Sequence, residues 1–242
     1  MRVSVLWDGG KDSALACYRA IVQGYDVASL VTFILDSWPS LCHPIHLMSL
    51  QSKALGISHL TFKVGEPYRE GYRQSLTRLK EKTGIRGVVA GDIRGTEHKH
   101  WYESVCEGLG IDVILPLWDA ETNRILDEFV SQGFRAIFTC VGRPWFTEEW
   151  LGREFNKDSV EALKMLSREY RIDPCGENGE YHTMVIDGPT FKEAVEVSKF
   201  SVKERNQILF MQVEECSLKP KKLNASVLQN IGNIEASKVC NN

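Results

Sequence analysis

The sequence predicts an α/β protein: a parallel sheet with helices on both faces, followed by a smaller α+β region. Short apolar segments alternate with helical patterns of about 10–15 residues through the first part of the chain. A glycine-rich segment joins the first strand to the first helix, and the alternation stops after residue 142. We therefore expect one domain over residues 1–142 and a second, smaller one over residues 143–215.

Each predicted element of the first domain has its own local signal. Strands are predicted at the apolar, β-branched segments 3–7, 27–34, 60–64, 87–90, 113–115 and 135–141. Helices are predicted at 12–23, 46–54, 69–82, 97–109 and 123–132, each followed by a glycine that can close it. Short, fully apolar strands separated by helices are typical of a parallel sheet that is buried on both faces.

The second domain has a weaker pattern. A charged amphipathic helix is predicted over residues 158–170 and strands over 184–186 and 207–213. The segment 216–242 is polar and has no apolar period, so we expect a loosely docked or frayed tail.

Composition excludes several classes of protein. The 242 residues carry a net charge of −3, which argues against a broad electrostatic contact with nucleic acid. The 7 cysteines show no paired spacing, so we expect reduced thiols in a cytoplasmic protein rather than disulfides or a zinc site. No apolar run approaches the roughly 20 residues that a membrane-spanning helix needs, so no membrane contact is expected.

Residues 8–13 read DGGKDS and lie between the first strand and the first helix. Glycines let the backbone approach an anion closely, and the free amides at a helix N-terminus attract negative charge. Lys11 adds a positive charge, and Asp12 either contacts a metal ion or caps the helix. This arrangement predicts a polyphosphate site; the alternative is a βα turn without a ligand.

Residues 173–183 read DPCGENGEYHT and form the second informative segment. Glu177 and Glu180 flank a tight Asn-Gly turn that is followed by Tyr181, His182 and Thr183. The segment suits either a site for an amine or ammonia, or a hairpin turn with solvated charges. Its spacing alone does not decide between the two.

Together these motifs resemble the diphthine–ammonia ligase family of PP-loop ATP pyrophosphatases, over about residues 1–195. The resemblance rests on WDGGKDS at 7–13, HPIHLMSLQSKALGI at 43–57, GVVAGDI at 87–93, ESVCEGLGIDVILPLW at 103–118, EEWLGREF at 148–155 and CGENGEYHT at 175–183. The last motif is similar to the bacterial-type CGENGE-[FY]-HT subgroup.

The resemblance implies a HUP-type Rossmann-like domain and an ATP-driven reaction. A carboxylate attacks the α-phosphate of ATP, pyrophosphate leaves, and ammonia displaces AMP to form an amide. The implied cofactors are ATP and Mg²⁺, and the partners are ammonia and a carboxylate, either on elongation factor 2 or on a small molecule such as a corrinoid-salvage intermediate. A homodimer is left open.

The resemblance also assigns residues. ATP would be bound by Asp8, Gly9, Gly10, Lys11, Asp12, Ser13, Thr32, Gly91 and Asp92, with Asp12 on the metal. The catalytic residues would be Lys11, Asp12, Glu177 and Glu180. The substrate would meet His43, His46, Asn178, Tyr181, His182 and Thr183.

Three positions depart from the family's motifs. Asp8 stands where the family usually carries Ser, His182 replaces a carboxylate, and Asn178 replaces a glycine. A carboxylate beside the polyphosphate keeps open the alternative of a nucleotide-binding module without turnover. An RNA-modifying PP-loop enzyme is disfavoured, because the cysteine pairs of thiolation enzymes are missing.

Overall fold

A computed structural model describes residues 1–35 and 42–221. The first part of the chain builds a parallel five-stranded sheet in the order β3-β2-β1-β4-β5. Its strands are β1 (Arg2–Leu6), β2 (Asp26–Leu35), β3 (His59–Val64), β4 (Gly87–Val89) and β5 (Asp112–Ile114). The predicted sheet is confirmed.

Helices cover both faces of this sheet, as predicted. Leu15, Leu47 and Ile125 bring three helices into the larger apolar core, whereas Leu79 and Val105 bring two others into the smaller core on the opposite face. The helices are α1 (Lys11–Val22), α2 (Ile45–Leu55), α3 (Tyr68–Thr83), α4 (Thr96–Cys106), α5 (Thr122–Ser131) and α6 (Lys157–Tyr170). The larger core continues into the second part of the chain and joins the two sheets.

A second, antiparallel sheet has the order β7-β6-β10-β9, with β8 also paired to β6. Its strands are β6 (Arg135–Gly142), β7 (Glu154–Phe155), β8 (Tyr181–Asp187), β9 (Glu193–Arg205) and β10 (Ile208–Pro220). Strand β6 was predicted as the last strand of the parallel sheet. That placement is wrong, because β6 pairs antiparallel with β7, β8 and β10. The predicted boundary near residue 142 stays a prediction.

The predicted polar tail is wrong over its first residues, because β10 continues to Pro220 against β9. Strand β9 was not predicted; most of its residues are exposed and many are charged. Asn206 and Gln207 turn the chain between the two strands with φ of 52° and 63°. Glycine usually supplies such angles in a hairpin, so this turn lacks its usual sequence signal. The remainder of the predicted tail, 222–242, lies outside the described residues.

The prediction of reduced thiols is wrong for one pair. Cys42 and Cys140 form a disulfide with a Cα–Cα distance of 5.1 Å, although 98 positions separate them. Cys17, Cys106, Cys175 and Cys216 are free thiols, and Cys240 lies outside the described residues. Within the ranges that the structure describes, no helix is long and apolar enough to cross a membrane.

Candidate active site

Residues of β8 and α2 form hydrogen bonds to the glycine-rich loop. The Gly9 carbonyl accepts hydrogen bonds from the Val185 amide and from Gln51 Nε2, each at 2.9 Å. Gly9 has a φ of 80°, and a Cβ there would lie 2.5 Å from Gln51 Oε1 and 2.6 Å from Met184 Cε. Only glycine fits, since both the backbone angle and the space exclude a side chain.

Lys11 connects this loop to the second motif. Its backbone amide donates to Thr183 Oγ1 at 3.2 Å, and its buried Nζ donates to Asp12 Oδ2 at 2.7 Å and to the Cys175 carbonyl. Burial opposes the charge, but the Asp12 carboxylate, Tyr181 and Cys175 together outweigh it and raise the pKa of Lys11. The two segments predicted from sequence therefore meet in one place, around a lysine that stays protonated.

Asp8 occupies the donors that were predicted to bind pyrophosphate. Its Oδ1 accepts from the Gly10 amide at 2.8 Å and from Ser13 Oγ at 2.5 Å. The side chain is exposed, yet desolvation by surrounding protein works against its charge, and His43, Ser13 and Gly10 together outweigh that effect and lower the pKa of Asp8. The carboxylate is therefore ionised, and it lies where an oxygen of a bound phosphate would otherwise accept these hydrogen bonds.

His43 and His182 form a pair beside Asp8. His43 Nε2 lies 3.1 Å from His182 Nδ1 and 4.0 Å from Asp8 Oδ2. Burial, together with the charge of His43, lowers the pKa of His182 to about 4, so its ring is neutral near pH 7. The Nδ1 atom of His43 is buried without a hydrogen-bond partner among the described residues.

Glu180 is enclosed within its own turn. Its carboxylate accepts from the Asp173 amide at 2.8 Å, the Asn178 amide at 3.0 Å and Asn178 Nδ2 at 3.1 Å, and the residue is only 3% exposed. These contacts favour a role in shaping the turn for both Glu180 and Asn178. Direct contact of either residue with a substrate stays a prediction.

Glu177 and Asp12 are the acidic groups that remain available at the site. Glu177 is exposed on the turn, yet desolvation by surrounding protein and the Asp12 charge raise its pKa to about 7. Burial also raises the pKa of Asp12, whose Oδ1 is buried and has no hydrogen-bond partner among the described residues. A nearby cation would therefore stabilise the ionised form of both carboxylates.

An Mg²⁺ ion that enters with ATP fits this donor set. Within residues 1–35 and 42–221, no group of three or more His, Cys, Asp or Glu side chains could hold a metal ion by itself. Mg²⁺ usually binds one or two carboxylates together with the phosphates of its substrate. The orphaned oxygen of Asp12 suits that mode.

The residues predicted to lie beside the nucleoside make contacts within the protein itself. Thr32 Oγ1 donates to the Trp7 carbonyl and lies 2.8 Å from His59 Nε2. A Cβ on Gly91 would lie 2.7 Å from the carbonyl carbon of Asp12, so this glycine lets the β4 end pack against α1. Asp92 accepts from Tyr102 Oη at 3.0 Å and lies 2.8 Å from His98 Nδ1. Their contact with a nucleoside stays a prediction.

The other predicted residues separate into core and surface. Tyr181 is 2% exposed, donates to the Pro174 carbonyl at 2.7 Å and packs on Phe138, so it supports Lys11 from the core rather than facing a substrate. His46 is exposed on the first turn of α2. Burial raises the pKa of the Cys175 thiol, which disfavours the reactive thiolate.

Gln51 is a functional residue that was not predicted from the sequence. This fully buried side chain accepts from Trp7 Nε1 at 3.0 Å and donates to the Gly9 and Val185 carbonyls. It therefore joins α2, the loop and β8. A signal was present, since Gln51 is a polar residue on the helix face that buries Leu47 and Leu55.

Family comparisons agree with this geometry. A sequence model of the diphthamide synthase N-terminal domain matches residues 1–113, and one of the C-terminal domain of that synthase matches residues 121–218. The chain belongs to the diphthine–ammonia ligase family. The family's proteins are ligase enzymes, and the two matched domains correspond to the two parts of the chain that supply the site.

Individual relatives are distant but cover most of the chain. A diphthine–ammonia ligase of Rattus norvegicus is 28% identical over 81% of this chain and 83% of its own length. That of Homo sapiens is 24% identical over 84% and 85%, respectively. The Schizosaccharomyces pombe ligase is 25% identical over 89% of this chain, which spans only 39% of that protein.

One solved structure, described as a predicted subunit of a tRNA methyltransferase from Methanocaldococcus jannaschii, has a TM-score of 0.44 to this chain. It is 17% identical, covering 78% of this chain and 98% of that one. A likeness this weak does not bear on function.

Proposed function

We propose that this chain is an ATP-dependent ligase that joins ammonia to a carboxylate and releases AMP and pyrophosphate. The observation that carries the proposal is the contact between the glycine-rich loop and the second motif, in which Lys11 reaches both Thr183 and Cys175. A nucleotide at the loop and an acyl acceptor at the turn would then share one site.

The chain's own groups suit the two half-reactions. Negative charge grows on pyrophosphate as it leaves the α-phosphate, and the protonated Lys11 lies at the loop to offset it. A bound Mg²⁺ would neutralise phosphate charge. Glu177 lies on the turn of the second motif and, with a pKa of about 7, can bind an ammonium ion or accept its proton near neutral pH.

The substrate proposed from the relatives is the diphthine side chain of elongation factor 2, with a small-molecule carboxylate as the alternative. The neutral His182 and Asn178 in place of the family's carboxylate and glycine leave the acyl substrate as the open part of this proposal. A homodimer and a cytoplasmic location remain predictions.

The test is to incubate the protein with ATP, Mg²⁺, ammonium and diphthine-bearing elongation factor 2, and to measure AMP and pyrophosphate by chromatography. We expect ammonium-dependent AMP formation that Lys11→Met abolishes. Lys53→Met, which removes an exposed lysine on α2, serves as the matched control and should be active. Formation of ADP instead of AMP would contradict the proposal.

A second function has one observation in its favour. Asp8 already accepts hydrogen bonds from Gly10 and Ser13, where an oxygen of a reacting phosphate would otherwise bind. This arrangement suits a module that binds a nucleotide without turning it over. Saturable binding of ATP, with no AMP released in the presence of either elongation factor 2 or small carboxylates, would select that alternative.

A further inference from the structure

Two of the departures from the family's motifs meet in space. Asp8 and His182 are 174 positions apart by number (182 − 8), yet both lie against His43. Where the family's pattern has a hydroxyl at position 8 and a carboxylate at position 182, this chain has the carboxylate at position 8 and an imidazole at position 182.

One ring nitrogen of His43 has no hydrogen-bond partner among the described residues. Its Nε2 lies 3.1 Å from His182 Nδ1 and 4.0 Å from Asp8 Oδ2, so the tautomer with its hydrogen on Nε2 fits both neighbours. The lone pair then lies on Nδ1, which is buried and has no partner among the described residues. A basic nitrogen with nothing to bind is costly unless a ligand supplies the missing hydrogen bond.

We propose that Asp8, His43 and His182 form one proton-accepting unit for the ammonia nucleophile, in which His43 takes the proton, Asp8 supplies the balancing charge and His182 orients the His43 ring. This inference rests on the proposed function. The nitrogen of ammonia forms a bond to the acyl carbon, the bond from that carbon to AMP breaks, and AMP leaves with the electron pair. The nitrogen gives its extra proton to His43 Nδ1.

An aspartate beside the imidazolium that forms is the arrangement by which serine hydrolases stabilise a protonated histidine. The rings of His43 and His182 stand at 80° to each other with centroids 4.9 Å apart, which fixes the direction of both. The groups that face His182 are His43, Asp8, Lys11 and Glu180. Of these, Asp8 is the carboxylate that lies within 4.0 Å of His43.

A double-mutant cycle on ammonium-dependent AMP formation tests the coupling. We expect His43→Gln to lower the rate about a hundredfold, as for loss of a general base. Asp8→Ser and His182→Glu should each lower it roughly tenfold without raising the KM for ATP, and the double variant Asp8→Ser/His182→Glu should recover most of the loss. His100→Gln, an exposed histidine of α4, is the control.

Additive losses in the double variant would overturn the inference while leaving the ligase function intact. A second measurement does not need turnover: NMR titration of the His182 ring, whose pKa is about 4. His43→Gln should raise this pKa and Asp8→Asn should lower it further, because these neighbours act on it with opposite signs. An unchanged His182 pKa in both variants would overturn the proposed unit. Absence of AMP in the native protein, with the titration moving as expected, contradicts the proposed function alone.

Discussion

Asp8 occupies two hydrogen-bond donors of the glycine-rich loop, the Gly10 amide and the Ser13 hydroxyl. A carboxylate that accepts from Gly10 and Ser13 lets the loop fold with its donors satisfied, so an incoming phosphate must displace it. Over half of the Asp8 side chain is exposed, at 55%, so it can turn outwards. The second carboxylate oxygen of Asp8 lies 4.0 Å from His43 Nε2. Displacement of Asp8 by a phosphate would therefore also change the surroundings of the histidine pair.

Asp8→Ser should tighten the binding of Mg²⁺–ATP. The substitution frees two donors and removes a charge repulsion of about 1–2 kcal/mol at intermediate dielectric, which corresponds to roughly tenfold in Kd. Calorimetry with a non-hydrolysable ATP analogue measures the change. Asp8→Asn keeps the size and an acceptor, so it should give an intermediate affinity, and weaker binding in both variants would contradict the prediction.

Glu177→Gln should stabilise the protein at pH 8 and have little effect at pH 5. The folded protein holds a proton on Glu177 with a pKa of about 7, above its ordinary value of 4.5. The unfolded chain therefore binds fewer protons between these values, and the free energy of unfolding falls as pH rises through them. Urea unfolding at both pH values measures this. The exposed Glu149→Gln is the matched control, and an equal gain at pH 5 would rule out the electrostatic cause.

Among the elements, β8 and α2 decide where the loop lies. Strand β8 pairs with β6 in the second sheet and, through Val185, also holds the Gly9 carbonyl of the first. Helix α2 contributes Gln51 to the same contact. The site is therefore assembled by a strand and a helix that come from different parts of the chain, and their registers position Thr183 under the Lys11 amide.

Gln51→Leu should lower both stability and nucleotide affinity. Leucine has a similar volume but leaves the Trp7 indole N–H and the Val185 carbonyl without the partner that Gln51 provides. A buried polar group left unpaired costs about 1–3 kcal/mol, so we expect a loss in this range from the free energy of unfolding. Lys53→Leu on the exposed side of α2 is the control. An unchanged unfolding midpoint in Gln51→Leu would show that water replaces the lost contacts.

In the molecule as a whole, one apolar core joins the two sheets, and the Cys42–Cys140 disulfide links the segment before α2 to the second sheet. Cys42 precedes His43, and Cys140 lies on β6 opposite His182. The Thr139 hydroxyl also donates to the Cys42 carbonyl at 2.8 Å. The covalent link and this hydrogen bond therefore fasten the start of the His43 segment to the second sheet.

Reduction of the disulfide should lower the free energy of unfolding by about 4 kcal/mol, because it closes a loop of roughly a hundred residues in the unfolded chain. Denaturant unfolding with and without dithiothreitol measures the loss. The double variant Cys42→Ser/Cys140→Ser should match the reduced protein and should not respond to the reductant. A response to dithiothreitol in that variant would assign the effect to another thiol.

Local patterns were sufficient for much of this molecule. Strand and helix periodicities predicted the parallel sheet, and the glycine-rich loop predicted a polyphosphate site, whereas residues 175–183 were assigned to the site only through the resemblance to the family. Such signals depend on neighbours within a few residues, so they can be seen in one sequence. Strand β9 was missed because its stability comes from pairing with β10, and its own side chains are mostly exposed.

Contacts between distant residues were decided by the tertiary structure alone. The sheet to which β6 belongs, the disulfide between positions 42 and 140, the buried Gln51 and the meeting of Asp8 with His43 and His182 all join segments far apart in the chain. No local period encodes such pairs, because packing of the shared apolar core brings them together. The sequence indicated a phosphate loop with an unusual aspartate, and the fold supplied the partner that gives this aspartate a role.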